Sequence, residues 1–213
     1  MAILKEQLRL YLVTDPQLGE QIGIVETVRR AVAGGVTMVQ LRDKNATTAQ
    51  RTELAVALKA ALSGTGVPLV INDDVIAATA ADTNGAHIGQ GDIATEQARA
   101  ILGPGKILGL SCETPQNVCD VDPLHIDYLG LGPVFGTTTK TNHAPPTGFD
   151  GLAHLVKLSP LPNVAIGGLK PDHIKGVLAS GADGMAVVSA ICGQANPEAA
   201  AHAFNGFKLE DRL

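Results

Sequence analysis

Leu69-Val70-Ile71-Asn72-Asp73 and Ala86-His87-Ile88-Gly89-Gln90-Gly91-Asp92 are two short apolar runs that each close on an acid. Runs this short and continuous, without alternation of polar and apolar residues, are what strands buried on both faces of a parallel sheet require. The same kind of run recurs at 10–13, 38–41, 107–110, 128–131, 163–166 and 185–188, eight in all along the chain. Between them lie apolar residues at helical spacing: Ile24, Val28 and Val32 before the second run, Leu54, Leu58 and Leu62 before the third, Ile174, Val177 and Leu178 before the eighth. Each set is one buried helix face.

Helix boundaries can be read the same way. Thr48 and Thr95 are expected to cap helices with their hydroxyls, Asp74 to cap the helix after the third strand, and Pro171 to fit a first helical turn. Gly34-Gly35, Gly64 and Gly181 are placed to end helices. The joints Gly34-Gly35-Val36-Thr37-Met38, Asp82-Thr83-Asn84-Gly85-Ala86 and Gly181-Ala182-Asp183-Gly184-Met185 resemble one another, a weak internal repeat. A repeat of this kind could signal a solenoid, and an open doubly wound sheet is a second competitor. Eight evenly spaced units in 213 residues suit a compact barrel best. The expectation is an α/β chain forming a single (β/α)8 TIM barrel over residues 1–213, near the small end of that fold.

Composition narrows the function classes. The chain is 45% hydrophobic and 17% charged, with net charge -5, an ordinary globular balance. No run approaches the roughly 18 apolar residues of a membrane span, and residues 1–8 lack the pattern of a secretion signal, so a cytoplasmic protein without a membrane partner is expected. No Trp, two Tyr and four Phe on an acidic chain do not suit nucleic-acid binding. Cys112, Cys119 and Cys192 have neither zinc-site nor dithiol spacing and are expected to be buried small apolar residues.

In a barrel every strand C-terminus opens on one face, so polar residues distant in sequence converge there. Those residues are Gln40, Arg42, Lys44, Asn72, Asp73, Gln90, Asp92 and Ser111, then Thr137, Thr138, Thr139 and Lys140, then Gly167, Gly168, Val188 and Ser189. Magnesium is held by one or two carboxylates plus substrate phosphate; Asp73 and Asp92 match that description, although an Asp at a strand-to-helix turn can equally be a helix cap. Arg42, Lys44 and Lys140 beside a divalent ion would suit a polyphosphate. Gly167-Gly168 with Val188-Ser189 suggest a second anion site of backbone donors, since the loops after the seventh and eighth strands of such barrels often hold a phosphate. His87 reads as a core or supporting residue. The loop 132–148 is long enough to suspect a lid.

Taken together, Gln40-Leu41-Arg42-Asp43-Lys44, Val70-Ile71-Asn72-Asp73-Asp74, His87-Ile88-Gly89-Gln90-Gly91-Asp92, Gly109-Leu110-Ser111, Gly130-Leu131-Gly132-Pro133-Val134-Phe135, Thr137-Thr138-Thr139-Lys140 and Ile166-Gly167-Gly168 resemble the thiamine phosphate synthase family. That resemblance implies a transferase joining 4-amino-2-methyl-5-hydroxymethylpyrimidine diphosphate to a thiazole monophosphate, releasing pyrophosphate. It implies that Gln40, Leu41, Arg42, Asp43, Lys44, Asn72, Ser111 and Lys140 hold the pyrimidine diphosphate, with Arg42, Lys44, Ser111 and Lys140 catalytic. Asp73 and Asp92 would hold Mg2+, and Thr137, Thr138, Thr139, Gly168, Val188 and Ser189 the thiazole phosphate. The partners it implies are two small phosphorylated substrates, with a homo-oligomer allowed. Departures from the pattern are confined to Gly91 and Gly136, which remove no functional group. A thiazole tautomerase would be expected to lack the full diphosphate set, and a non-catalytic thiazole phosphate-binding regulator to have lost Asp73, Asp92 or Lys140.

Overall fold

The computed structural model describes residues 5–137 and 144–207. Eight parallel strands close into a barrel in sequence order: β1 Leu10–Val13, β2 Met38–Leu41, β3 Leu69–Asn72, β4 Gly85–Ile88, β5 Ile107–Cys112, β6 Tyr128–Leu131, β7 Asn163–Ile166 and β8 Met185–Val187. Around them run α1 Lys5–Leu8, α2 Ile24–Ala33, α3 Thr48–Leu62, α4 Val75–Ala80, α5 Thr95–Leu102, α6 Pro115–Cys119, α7 Gly148–Leu158, α8 Ile174–Ala179, preceded by a 3-10 turn Pro171–His173, and α9 Pro197–His202. The solenoid and the open sheet are thereby set aside. Among the described residues no helix is long and apolar enough to cross a membrane.

Alternate strand residues serve two cores, because successive side chains point to opposite faces. Leu10, Leu12, Val39, Leu41, Leu69, Ile71, Leu129 and Leu131 face outward and pack with Val28, Leu58, Ala98, Leu152 and Val177 of the helices. Tyr11, Val13, Met38, Val70, Ile107, Tyr128, Val164 and Ala186 face inward and fill the barrel. Each fully buried Leu or Val contributes roughly 1.5–3 kcal/mol of hydrophobic stabilisation, which explains why the strands read as unbroken apolar runs.

The joints before alternate strands share one device. The side chains of Thr37, Asn84, Asp127 and Asp183 accept from amides at the start of the preceding odd strands, the first residue at Leu10 (2.9 Å), Leu69 (2.9 Å) and Asn163 (2.8 Å) and the second at Leu108 (2.8 Å). The weak repeat in the sequence is therefore a set of strand caps, placed where buried backbone donors would otherwise lack acceptors. Glycine accompanies them for space: a Cβ on Gly184 would lie 1.7 Å from the Leu8 carbonyl oxygen, and one on Gly85 1.8 Å from that of Ile107. Gly184→Ala is expected to cost about 1–3 kcal/mol by forcing two backbones apart, read as a lower denaturation midpoint with an unchanged m value.

Three expectations about local structure need correction. The cap of α3 is Thr47, whose hydroxyl accepts from Gln50 in a reciprocal box, so Thr48 is the first helical residue. Thr95 likewise begins α5 behind Ala94, which gives no side-chain cap. Cys119 is exposed at the end of α6 while Cys112 and Cys192 are buried as expected. Asp74 does cap α4, accepting from the Ala77 amide at 2.8 Å and pairing with Arg51 at 2.9 Å. Pro171 opens the 3-10 turn before α8.

Candidate active site

The chain leaves β3 through a residue in the left-handed region. Asp73 has φ 63°, a conformation that Asp tolerates better than most residues, and the strain is held by two bonds: the Asp73 amide to the His87 carbonyl (2.8 Å) and the Asp74 amide to the Asn72 carbonyl (2.7 Å). Because Asp74 takes over the capping of α4, the Asp73 carboxyl is left to turn inward over the barrel mouth. Asp92 comes from the loop after β4, its Oδ2 fixed by the Gly89 amide at 2.7 Å. Burial, followed by the neighbouring Asp92 carboxyl and its charge, pushes the Asp73 carboxyl up to about 6. Lys44 Nζ stands 3.7 Å from Asp73 Oδ2 and opposes that rise.

An Asp73 carboxyl whose proton is held by burial and by the charge of Asp92 would be relieved by a cation placed between the two acids. Among the described residues no three His, Cys, Asp or Glu side chains come together as a complete cage. Two acids with room for water and phosphate oxygens suit magnesium better than calcium or zinc.

Gln40, Arg42, Lys44, Asn72, Ser111 and Thr137 line the same cavity as the acids, and so do Gly168, Val188 and Ser189 from the loops after β7 and β8. Arg42 is rooted by Thr14, a fully buried residue whose Oγ1 accepts from the Arg42 amide at 3.0 Å. Two expected residues are not brought there by their side chains. Leu41 points outward into the apolar layer under the helices, since only Gln40 and Arg42 have the inward phase. Asp43 turns back to accept from the Asn45 and Ala46 amides at 3.0 and 3.2 Å, and lines a small outer hollow with Gln50 and Arg51. Thr138, Thr139 and Lys140, with the middle of the suspected lid (138–143), lie outside the described residues.

The second anion site rests on backbone. Gly167 and Gly168 have φ 102° and 62° in succession, and a Cβ on Gly168 would lie 2.6 Å from the Gly136 carbonyl oxygen. Only glycine allows that turn to pack on the strand-six loop, where the Phe135 amide donates to the Gly167 carbonyl at 3.0 Å. Among the described residues the amides of Gly168, Val188 and Ser189 donate to no protein acceptor. Amides of this kind, lining one cavity, are the donors an anion nest uses.

The sequence reading missed part of the wall. Tyr11 and Tyr128 form a buried hydrogen-bonded file with Gln40, His87 and Ser111. Both tyrosines of the chain sit inside otherwise aliphatic strands, a signal that could have found them, because a buried phenol needs a partner. His173 also lines the cavity, its Nδ1 accepting from the Lys170 amide at 3.2 Å and its ring 4.5 Å from that of Phe135. Glu113 accepts from the Ala144 amide at 2.7 Å, tying the far end of the strand-six loop to the rim.

The cavity has a volume of about 1700 Å3. A drug-sized ligand site typically has roughly 300–1,000 Å3, so the cavity has the volume for two small molecules.

Comparison with known proteins gives one consistent answer. The sequence pattern of the family described as "Thiamine monophosphate synthase" matches residues 10–191. A thiamine-phosphate synthase of Vibrio parahaemolyticus is 49% identical over 193 residues, covering 91% of this chain and 94% of that protein. One from a Psychrobacter species is 50% identical over 199 residues, covering 92% and 93%. The solved structure of a thiamine phosphate pyrophosphorylase from Pyrococcus furiosus superposes with TM-score 0.88 at 34% identity, covering 99% of this chain and 100% of that one. A 3-hexulose-6-phosphate synthase at 17% identity and TM-score 0.69 shares the fold.

Proposed function

This chain belongs to the thiamine monophosphate synthase family, and on that premise we propose how its barrel rim makes thiamine phosphate from 4-amino-2-methyl-5-hydroxymethylpyrimidine diphosphate and 4-methyl-5-(2-phosphoethyl)thiazole, releasing pyrophosphate. The observation that carries the reading is the presence in one cavity of two unlike sets of groups: acids with Arg42 and Lys44 on the loops after β2, β3 and β4, and amides that donate to no described acceptor on those after β7 and β8.

Gln40, Arg42, Lys44, Asn72 and Ser111 hold the pyrimidine diphosphate, with Lys140 assigned to them from its family motif. Asp73 and Asp92 would hold Mg2+, which would supply positive charge to the departing diphosphate. The C–O bond to pyrophosphate breaks first, its electrons leaving with the pyrophosphate, and a resonance-stabilised pyrimidine methyl cation remains. Arg42 and Lys44 meet the charge that grows on the departing oxygen, so they lower the transition state more than the ground state. The thiazole nitrogen then forms the new C–N bond with its own lone pair, so no general base is required. Gly168, Val188 and Ser189, with Thr137 and the adjoining Thr138 and Thr139, hold the thiazole phosphate so that this nitrogen faces the cation before water does.

Mixing both substrates with magnesium is expected to release pyrophosphate and thiamine phosphate together, and omission of either substrate to stop both. Pyrophosphate released without the thiazole would instead mark a hydrolase. Ser189→Asp puts a negative charge against the amide nest. It is expected to weaken thiazole phosphate binding by at least about tenfold, while diphosphate binding stays within about twofold; calorimetry with each substrate alone checks both.

A further inference from the structure

A continuous file of hydrogen bonds crosses the barrel interior from Gln40 to Ser111. Gln40 Nε2 donates to the Tyr11 hydroxyl at 2.7 Å, and the Tyr11 and Tyr128 hydroxyls are 2.8 Å apart. The Tyr128 hydroxyl is 2.8 Å from His87 Nδ1, and His87 Nε2 is 2.9 Å from Ser111 Oγ.

With the Gln40 amide oriented so that Nε2 faces Tyr11, counting protons sets the direction of every bond. Tyr11 is 1% exposed, and among the described residues its hydroxyl meets only Gln40 and Tyr128. An amide nitrogen can only donate, so the hydrogen of Tyr11 has one acceptor within reach, Tyr128; pointing it elsewhere would leave a buried hydroxyl unsatisfied at a cost of about 1–3 kcal/mol. Tyr128 is also fully buried, and having accepted from Tyr11 it sends its single hydrogen to His87 Nδ1. That nitrogen then carries no proton, so the proton of the neutral ring sits on Nε2 and points at Ser111 Oγ. Burial pushes both phenols above their ordinary range, which keeps these hydrogens in place.

We infer that His87 is a positioning residue, locked by Gln40, Tyr11 and Tyr128 in its Nε2–H form, and that it turns the Ser111 hydroxyl into a donor aimed at the diphosphate. Ser111 accepts from His87, and its own hydrogen is left to face the cavity it lines. Gly109 belongs to the same device: a Cβ there would lie 2.2 Å from Tyr128 Cζ and 2.4 Å from His87 Nδ1. The role given to Ser111 rests on the reaction proposed above, whereas the form of His87 is a property of the protein without substrate.

Two measurements separate these. In 15N-labelled full-length protein without substrate, His87 is expected to show a protonated Nε2 and an unprotonated Nδ1, its signals identified by their loss in His87→Gln. A proton on Nδ1 would overturn the inference. In turnover, Tyr128→Phe keeps the ring but removes the hydrogen given to Nδ1. It is expected to lower kcat about 10- to 100-fold, the scale on which partners that orient a functional side chain act, with the KM for the diphosphate changed less than about threefold. In the Ser111→Ala background the same change is expected to cost nothing further. Losses that multiply in the double variant would show Tyr128 acting through packing and not through Ser111, and would also overturn it. A wild-type chain that releases no pyrophosphate would sink the reaction reading alone, and the NMR result would still decide the form of His87.

Discussion

Asp73→Asn is expected to lower turnover at limiting magnesium by about 10² to 10³, the scale of one preorganised electrostatic contact, while making the metal-free protein more stable. Asn tolerates the left-handed backbone at φ 63° as Asp does, so the change removes charge without distorting the turn. Activity falls because one of the two carboxylates facing the proposed cation is gone, and excess magnesium should restore part of it. Stability rises for the opposite reason. A carboxyl whose folded pKa of about 6 lies above its ordinary value of 3.8 holds its proton more tightly when folded. Wild-type stability therefore falls as pH rises between those values, and the full penalty is present above about 6. The shift alone would suggest about 3 kcal/mol, but the side chain is 34% exposed, and solvent screening brings the expected gain to about 1 kcal/mol. For a chain of this size that is a rise of roughly 2–4 °C in Tm at pH 7, absent at pH 4. A variant that turns over normally at limiting magnesium, or that melts lower at pH 7, would contradict the assignment.

The second large effect is expected at Arg42. Its backbone is pinned to the buried Thr14, the Arg42 amide donating to Thr14 Oγ1 and that hydroxyl reaching the Arg42 carbonyl at 3.4 Å. The guanidinium therefore starts from a fixed root on the cavity wall, and its planar fork can meet two diphosphate oxygens at once. Arg42→Ala is expected to lower kcat/KM by about 10² to 10³, with most of the loss in kcat, because charge grows on the leaving oxygen only as its bond breaks. Arg42→Lys should recover only part, since a point charge replaces a two-pronged donor. Steady-state kinetics with the diphosphate varied at saturating thiazole phosphate checks the split; a rise in KM at constant kcat would assign Arg42 to ground-state binding.

The barrel could be read from the chain because its signal is local. Unbroken apolar runs such as Leu69-Val70-Ile71 reflect burial on both faces, and the small polar joints around Asn84 and Asp183 turned out to be caps for neighbouring strands. The rim was legible for a related reason: strand ends share one face, so Asp73, Asp92, Gly168 and Ser189 converge whatever lies between them.

What escaped depends on phase and on tertiary partners. A motif taken as a block, Gln40 to Lys44, hides the alternation that sends Leu41 into the outer layer, and Asp43 is diverted by its own Asx turn. Thr47 and Thr48 are equally good caps by type, and the reciprocal bond with Gln50 selects the first. The Tyr11–Tyr128–His87 file needs strands β1, β4 and β6 to meet inside the closed barrel, which no single segment reveals. Lone amides at Gly168 and Val188 leave no trace in side-chain chemistry at all.

The central claim is that the rim holds one divalent cation between two acids to receive a diphosphate. Crystals of the wild-type protein soaked with pyrophosphate and manganese, a magnesium stand-in with a strong anomalous signal, test it directly. A single strong anomalous peak bridging the carboxylates of Asp73 and Asp92 is expected, with diphosphate density reaching Arg42 and Lys44. Diphosphate bound with no peak between those two acids, or a peak held by other residues, would contradict it.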